Sequence, residues 1–151
     1  ALALNGFRPT YLRSNVSERD GIRLYIDAYN ANPASMKAAL KSMNEIEVTG
    51  RRFAVLGDML ELGPGAKEAH FELGQHTQHF GINELVAVGE FAEDMIAGAL
   101  AEGIGYAHAR AYVDRGAVPA FLKACLKEGD LALIKGSNGL ALWKIAEELG
   151  F

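Results

Sequence analysis

Three uninterrupted apolar runs constrain this chain more than anything else in it: Phe53-Ala54-Val55-Leu56, Leu85-Val86-Ala87-Val88 and Leu131-Ala132-Leu133-Ile134. A strand wetted on one face alternates apolar and polar residues, so four apolar residues in succession call for a strand covered on both faces. Each run meets a glycine at once or one residue later (Gly57, Gly89, Gly136), and each is followed by a stretch with helical periodicity. That alternation predicts a parallel sheet sandwiched between helices.

The other elements fit this frame. Arg13 to Arg19 and Ile22 to Asp27 flank Asp20-Gly21, a dipeptide suited to a two-residue hairpin turn, which adds one antiparallel edge strand. Asn32 reads as a helix cap with Pro33 at the first helical position, opening a helix to about Ile46. Met36, Ala39, Leu40 and Met43 share one face of it. Further helices are expected from Lys67 to Phe80, Glu90 to Glu102, Val118 to Lys127 and Gly139 to Leu149, with a short strand from Ala107 to Tyr112. The expected fold is one three-layer, Rossmann-like α/β domain with a mostly parallel sheet of about six strands. A chain of 151 residues suffices for a single core of this kind.

Composition narrows the function classes. The net charge is −4 and no basic stripe appears, which excludes a nucleic-acid footprint. No apolar stretch approaches the length of a membrane span, and Ala1-Leu2-Ala3-Leu4 lacks the basic flank and length of a signal peptide. The lone Cys125 excludes an internal disulfide and fits a reducing, cytoplasmic setting.

Open parallel sheets bind ligands beyond the carboxyl ends of their strands. Four junctions should share that rim: Asp27 to Asn32, Gly57-Asp58-Met59, Gly89-Glu90, and Lys135-Gly136-Ser137-Asn138-Gly139. Lys135, Ser137 and the two glycines of the last junction suit an anionic group, so Lys135 and Ser137 are expected to contact a carboxylate or phosphate. The GxxxxGK[ST] loop is absent, as is a GxGxxG after the first buried strand, so no complete nucleotide motif is present. The Asp27 junction packs an acid, a phenol and two carboxamides into six residues. Asn30 and Asn32 match a zwitterion or peptide amide, and Asp27 suits an ammonium or ribose hydroxyls. The same residues also fit a structural reading, with Asn32 a cap, Asp27 a turn residue and Tyr29 a core aromatic.

Other candidates carry less. His76 and His79 have a helical metal spacing but no third ligand nearby, so no metal site is expected. His70 lies where it can reach the rim. Asp58 and Glu61 read as a solvated loop pair, Glu147-Glu148 as surface and Cys125 as core.

Tyr29-Asn30-Ala31-Asn32-Pro33 with Ser35-Met36 resembles a signature of the Mur ligase family, in its D-alanyl-D-alanine-adding branch. Phe7-Arg8-Pro9 with Arg13 resembles the entry into the C-terminal domain of those enzymes. Leu56-Gly57-Asp58-Met59-Leu60-Glu61-Leu62-Gly63 with His70 is similar to their second motif, and Leu133-Ile134-Lys135-Gly136-Ser137 to their last strand and loop. Asn138 stands where the family usually has arginine. Other Mur ligases and folylpolyglutamate synthetase share this domain type, but several have His in the Asn30 and Asn32 pattern.

The resemblance implies a domain organisation and a chemistry. Residues 1–12 would be an interdomain linker remnant and 13–151 the C-terminal domain, with the uridine-nucleotide and central P-loop domains absent. ATP would phosphorylate the carboxylate of a UDP-MurNAc-tripeptide, and the D-Ala-D-Ala amine would attack the acyl phosphate. ATP and Mg²⁺ would be held mainly by the central domain. Arg13 would reach the ATP phosphates and Asp27 its ribose, while Tyr29, Asn30 and Asn32 would shape the pocket shared by nucleotide and dipeptide. Asp58, His70 and Asn138 would lie on the rim. The alternative from another class is a non-catalytic, flavodoxin-like regulatory module, with Asp27, Asp58 and Lys135 as its acid-and-lysine pocket.

Overall fold

The computed structural model describes residues 15–151. Their elements run β1 (Asn15–Arg19), β2 (Ile22–Asp27), α1 (Pro33–Glu45), β3 (Arg52–Gly57), α2 (Ala66–His79), β4 (Glu84–Val88) and α3 (Ala92–Ala101). They continue with β5 (Ala109–Tyr112), α4 (Val118–Cys125), β6 (Leu131–Lys135) and α5 (Trp143–Glu148). The six described strands form one sheet in the order β1-β2-β6-β3-β4-β5. The β1–β2 pair is antiparallel and the other pairs are parallel, as the sequence predicts.

The apolar runs feed two cores by strict alternation. Leu131 and Leu133 of β6, Ala54 and Leu56 of β3, and Leu85 and Ala87 of β4 face α1, α2 and α3. Ala132 and Ile134, Phe53 and Val55, and Val86 and Val88 face α4 and α5. Both faces being covered explains why these strands carry no polar residues in the middle. On the first face Met36, Ala39, Leu40 and Met43 of α1 are buried, the four positions expected from helical spacing. The hairpin turn places Asp20 and Gly21 at φ 53° and 77°, the two positive values of a turn whose twist matches its strands.

Several boundaries differ from expectation for local reasons. The strand expected from Ala107 begins at Ala109, because Tyr106–His108 form a 3₁₀ turn. α3 starts at Ala92 rather than Glu90, because the amides of Glu90 and Phe91 bond a side chain instead. α4 stops at Cys125, where Leu126 turns extended and Lys127 donates its amide to Asp130. The last helix begins late, after a 3₁₀ turn at Asn138–Leu140 and Ala141 in the left-handed region. Cys125 is half-buried against the second core rather than within it.

Away from the rim, the amino ends of the strands are tied by a charged cluster. Asp130, 2% exposed, accepts the amides of Arg51 and Lys127 at 2.8 and 2.9 Å. The Arg51 guanidinium lies 3.3 Å from Asp130 and 3.6 Å from Glu84, and donates to Cys125 O at 2.8 Å. His108 Nδ1 is 2.5 Å from the same Glu84 oxygen.

Candidate functional site

Strands β2, β6, β3 and β4 are consecutive and parallel, so the four junctions expected to share a rim do lie side by side at the carboxyl ends of the strands. The structure brings Asp27, Tyr29, Asn30, Asn32, Asp58, His70, Lys135, Ser137 and Asn138 to this end of the sheet. Arg13 lies outside the described residues.

Asp27 and Lys135 are direct partners in the β2–β6 ladder. The pleat turns Lys135 the same way as Leu131 and Leu133, beneath the turn that leaves β2. Lys135 is 1% exposed and its Nζ lies 3.0 Å from Asp27 Oδ2. It donates to Asn30 O at 2.7 Å and lies 3.5 Å from Asp27 O. Lys135 therefore points inward in this structure, instead of offering its charge to a carboxylate at the rim as its loop chemistry suggests. Asp27, 9% exposed, is likewise turned toward that ammonium.

Beyond this pair the chain surfaces. Tyr29 is 60% exposed, which overturns the reading of it as a core aromatic. Asn30 is exposed and its Oδ1 accepts the Ala31 amide at 2.9 Å. Asn32 caps α1: Oδ1 accepts Ser35 N at 2.8 Å, and Ser35 Oγ accepts Asn32 N at 3.0 Å. The capping half of the structural reading thus holds, while the Asn32 side chain still lies exposed at the rim.

The β3 and β6 junctions are stitched to each other. Ser137 donates its amide to Asp58 O at 3.1 Å and its Oγ accepts Leu60 N at 3.0 Å. Ser137 is 8% exposed, so its oxygen serves the neighbouring loop. Asp58 is not the solvated loop acid expected beside Glu61: it is 4% exposed and accepts Glu90 N at 2.8 Å and Phe91 N at 2.9 Å. Its carboxylate caps the start of α3 from across the sheet, where negative charge is favoured. Gly89 makes this possible, because its φ is +121° and a Cβ there would overlap the Asp58 carboxyl group. A carboxylate whose two oxygens are so engaged is unsuited to accept phosphate, which removes the basis of the regulatory-module alternative.

His70 is fully buried beneath the same loop and does not face the rim. Its Nε2 accepts Met59 N at 2.9 Å, its Nδ1 donates to Ala66 O at 2.6 Å, and its ring stacks on Phe91 with centroids 4.6 Å apart. Asn138 is exposed and lines, with Ser17, Ile26, Tyr29, Trp143 and Phe151, a groove of about 530 Å³ beside the rim on the α4–α5 face. A smaller groove of about 280 Å³ runs between α1 and α2 past Lys37, Glu72 and His76. Partial burial, with Lys37 and His79 nearby, holds the His76 pKa below its ordinary value against the opposing pull of Glu72.

Among the described residues no three His, Cys, Asp or Glu side chains converge on one point, and Asp27 and Asp58 both serve internal partners. Sequence reasoning missed the Asp58 cap and the inward Lys135. The signal for the first was an acid directly after one buried strand and Gly-Glu-Phe directly after the next.

Comparison with known proteins places this geometry. The family model described as Mur ligase, glutamate ligase domain, matches residues 13–138. The UDP-N-acetylmuramoyl-tripeptide–D-alanyl-D-alanine ligase of Mycobacterium tuberculosis is 38% identical over 155 residues, covering 91% of this chain and 30% of that protein. A crystal structure of MurF from Acinetobacter baumannii superposes with a TM-score of 0.80 at 27% identity, over 91% of this chain and 30% of that one. MurF from Thermotoga maritima, crystallised in complex with ADP, shares the fold at 23% identity and a TM-score of 0.75, over 97% of this chain and 36% of that one. The chain thus spans about a third of the length of the relatives it matches.

Proposed function

Because the chain belongs to the Mur ligase family, through its glutamate ligase domain, we propose that it acts as the C-terminal domain of an ATP-dependent ligase joining D-alanyl-D-alanine to UDP-MurNAc-tripeptide. In this reading the uridine-nucleotide and P-loop domains act with it, and it does not catalyse alone. The observation that carries the reading is the rim itself: Tyr29, Asn30 and Asn32 stand exposed together, on a turn anchored from below by the buried Asp27–Lys135 pair.

The chemistry assigns this rim a positioning task. An activated tripeptide carboxylate is attacked by the dipeptide amine, and the tetrahedral intermediate releases phosphate as the amide forms. Holding the amine against its target removes most of the entropic barrier of a bimolecular step. Covering the reacting centre keeps out the water that would hydrolyse the activated acyl group. The carboxamides of Asn30 and Asn32 supply donors and acceptors for a peptide zwitterion, and Tyr29 supplies an aromatic face. The groove between Tyr29, Asn138 and Trp143 lies within the size range of small-ligand sites and adjoins the same turn. The nucleotide is assigned to this rim on family membership, with Mg²⁺ held by the P-loop domain.

Amide NMR titration tests the proposal. D-Ala-D-Ala should shift residues 27–32, 57–63 and 135–139, and L-Ala-L-Ala should not. Shifts that appear only after Mg-ADP is added would make the rim a nucleotide cover rather than a dipeptide site. In a full-length ligase carrying this domain, a normal rate after removal of the Asn30 and Asn32 carboxamides would refute the assignment.

A further inference from the structure

We propose that Lys135 is a positioning residue: its buried ammonium fixes the conformation of the Asp27–Asn30 turn and so sets where Tyr29, Asn30 and Asn32 stand. The geometry is specific. An ammonium can donate to several oxygens at once, and within the turn this one meets Asp27 Oδ2 at 3.0 Å, Asn30 O at 2.7 Å and Asp27 O at 3.5 Å. These three oxygens belong to one four-residue segment. One side chain of β6 therefore grips both ends of the turn that leaves β2, and it does so from its ladder position opposite Asp27.

Stability alone is a poor reason for this arrangement. Removing an ammonium and a carboxylate from water is costly, and apolar pairs of similar volume are often as stable. What an apolar pair lacks is direction. Methionine at position 135 would fill the space, but it would leave the Asn30 carbonyl and the Asp27 carboxylate without the donor that orients them. The side chains carried by the turn are those exposed at the rim, so its conformation decides how a ligand is met. This inference rests on the ligase reading only in that last step, because the grip on the turn is a property of the chain itself.

Two measurements test it. The first is amide exchange and chemical shift in the 151-residue chain, comparing wild type with Lys135→Met. Residues 28–32 should exchange about tenfold faster or more, while the amides of β3, β4 and β5 keep their protection. Unchanged protection at 28–32 overturns the proposal. Should Lys135→Met fail to fold, Asp27→Asn keeps the shape of the carboxyl group, removes its charge and is read the same way.

The second measurement is steady-state kinetics in a full-length ligase carrying this domain. If the competent turn falls to about a tenth of the population, apparent affinity falls about tenfold. KM for D-Ala-D-Ala or ATP should rise by that factor with kcat nearly unchanged, and Lys135→Arg should recover part of it. A variant that merely unfolds in part loses active enzyme, so a fall in kcat at constant KM overturns the positioning role. A loosened turn with normal kinetics overturns the link between the turn and ligation. Failure of the wild-type enzyme to use D-Ala-D-Ala refutes the ligase reading instead, and leaves the exchange result standing.

Discussion

His70 Nε2 accepts the backbone N–H of Met59, and the opposite ring nitrogen donates to Ala66 O. The pair of contacts selects one neutral tautomer, with the proton on Nδ1. A fully buried imidazole thus fastens the loop after β3 to the first turn of α2. His70→Leu keeps the bulk and deletes both bonds, leaving a buried amide unsatisfied. The expected loss is about 2–3 kcal/mol, read as a lower urea midpoint with faster amide exchange at 58–63. An unfolding free energy within about 0.5 kcal/mol of wild type would show the loop to be held by something else.

Asp58 and Gly89 should behave as one unit. Asp58→Ala strips the acceptor from two amides at the start of α3, for a loss of about 1–2 kcal/mol. Gly89→Ala strains a positive φ and pushes a methyl group into the carboxylate, for about 2 kcal/mol or more. Combined, the two losses should fall short of their sum, because the clash disappears with the carboxylate. Thermal denaturation of the four proteins closes the cycle, and strict additivity would contradict the coupling.

Asn32 is assigned both a cap and a ligand contact, and the two can be separated. Asn32→Ser and Asn32→Asp keep a capping oxygen, so the melting temperature should barely move, whereas Asn32→Ala should cost about 1 kcal/mol. If the carboxamide meets the ligand, all three lower ligation by a full-length enzyme. A rate that follows the melting temperature instead would assign Asn32 to capping only.

The charged cluster at the far end of the sheet should govern stability without touching ligand affinity. Asp130→Ala removes the acceptor for two backbone amides and a guanidinium contact, for a loss of about 2–3 kcal/mol. Calorimetry measures the loss, and a titration on the rim should give an unchanged midpoint. A shifted midpoint would mean that the two ends of the sheet communicate.

His76 sets a sign for pH dependence. Its folded pKa lies below the ordinary histidine value, first because of burial and then because of Lys37 and His79, with Glu72 opposing. As the pH falls, the unfolded chain takes up this proton before the folded one does. The contribution of His76 is therefore intact above its unfolded pKa of about 6.5 and is lost progressively as the pH drops from there through the lower folded pKa. His76→Gln should flatten the slope of melting temperature against pH in that window. A slope unchanged by the substitution would trace the dependence to other groups.

The layers of the fold were legible because burial writes itself locally. Four apolar residues at 53–56, 85–88 and 131–134 demand two covered faces, and the spacing from Met36 to Met43 demands one. The position of the rim followed from those strands. The roles on the rim did not, because their partners are distant in sequence. Nothing near Lys135 announces that Asp27 will lie across the ladder and draw it inward, so a lysine beside glycines and a serine reads as a phosphate contact. Asp58 reads as a loop acid until β3 and β4 pair and deliver the amides of Glu90 and Phe91 to it. The boundary at Ala92 slipped for the same reason, because Asp58 had claimed the amides of Glu90 and Phe91. The early stop at Cys125 has a local cause, the Lys127 amide bonding Asp130 three residues on.

The strand order has a consequence for how the molecule comes into being. β2 and β3 are separated by a gap that only β6 fills, and β6 is the last strand of the described chain. Until it arrives, Asp27 has no ammonium, the Arg51 guanidinium no Asp130, and neither core is continuous. The sheet therefore stays in two unjoined parts, β1 with β2 and β3 with β4 and β5, until β6 pairs with both. Joining them requires β6 to close contacts far apart in sequence, the kind of pairing that slows folding and makes it cooperative across the whole sheet.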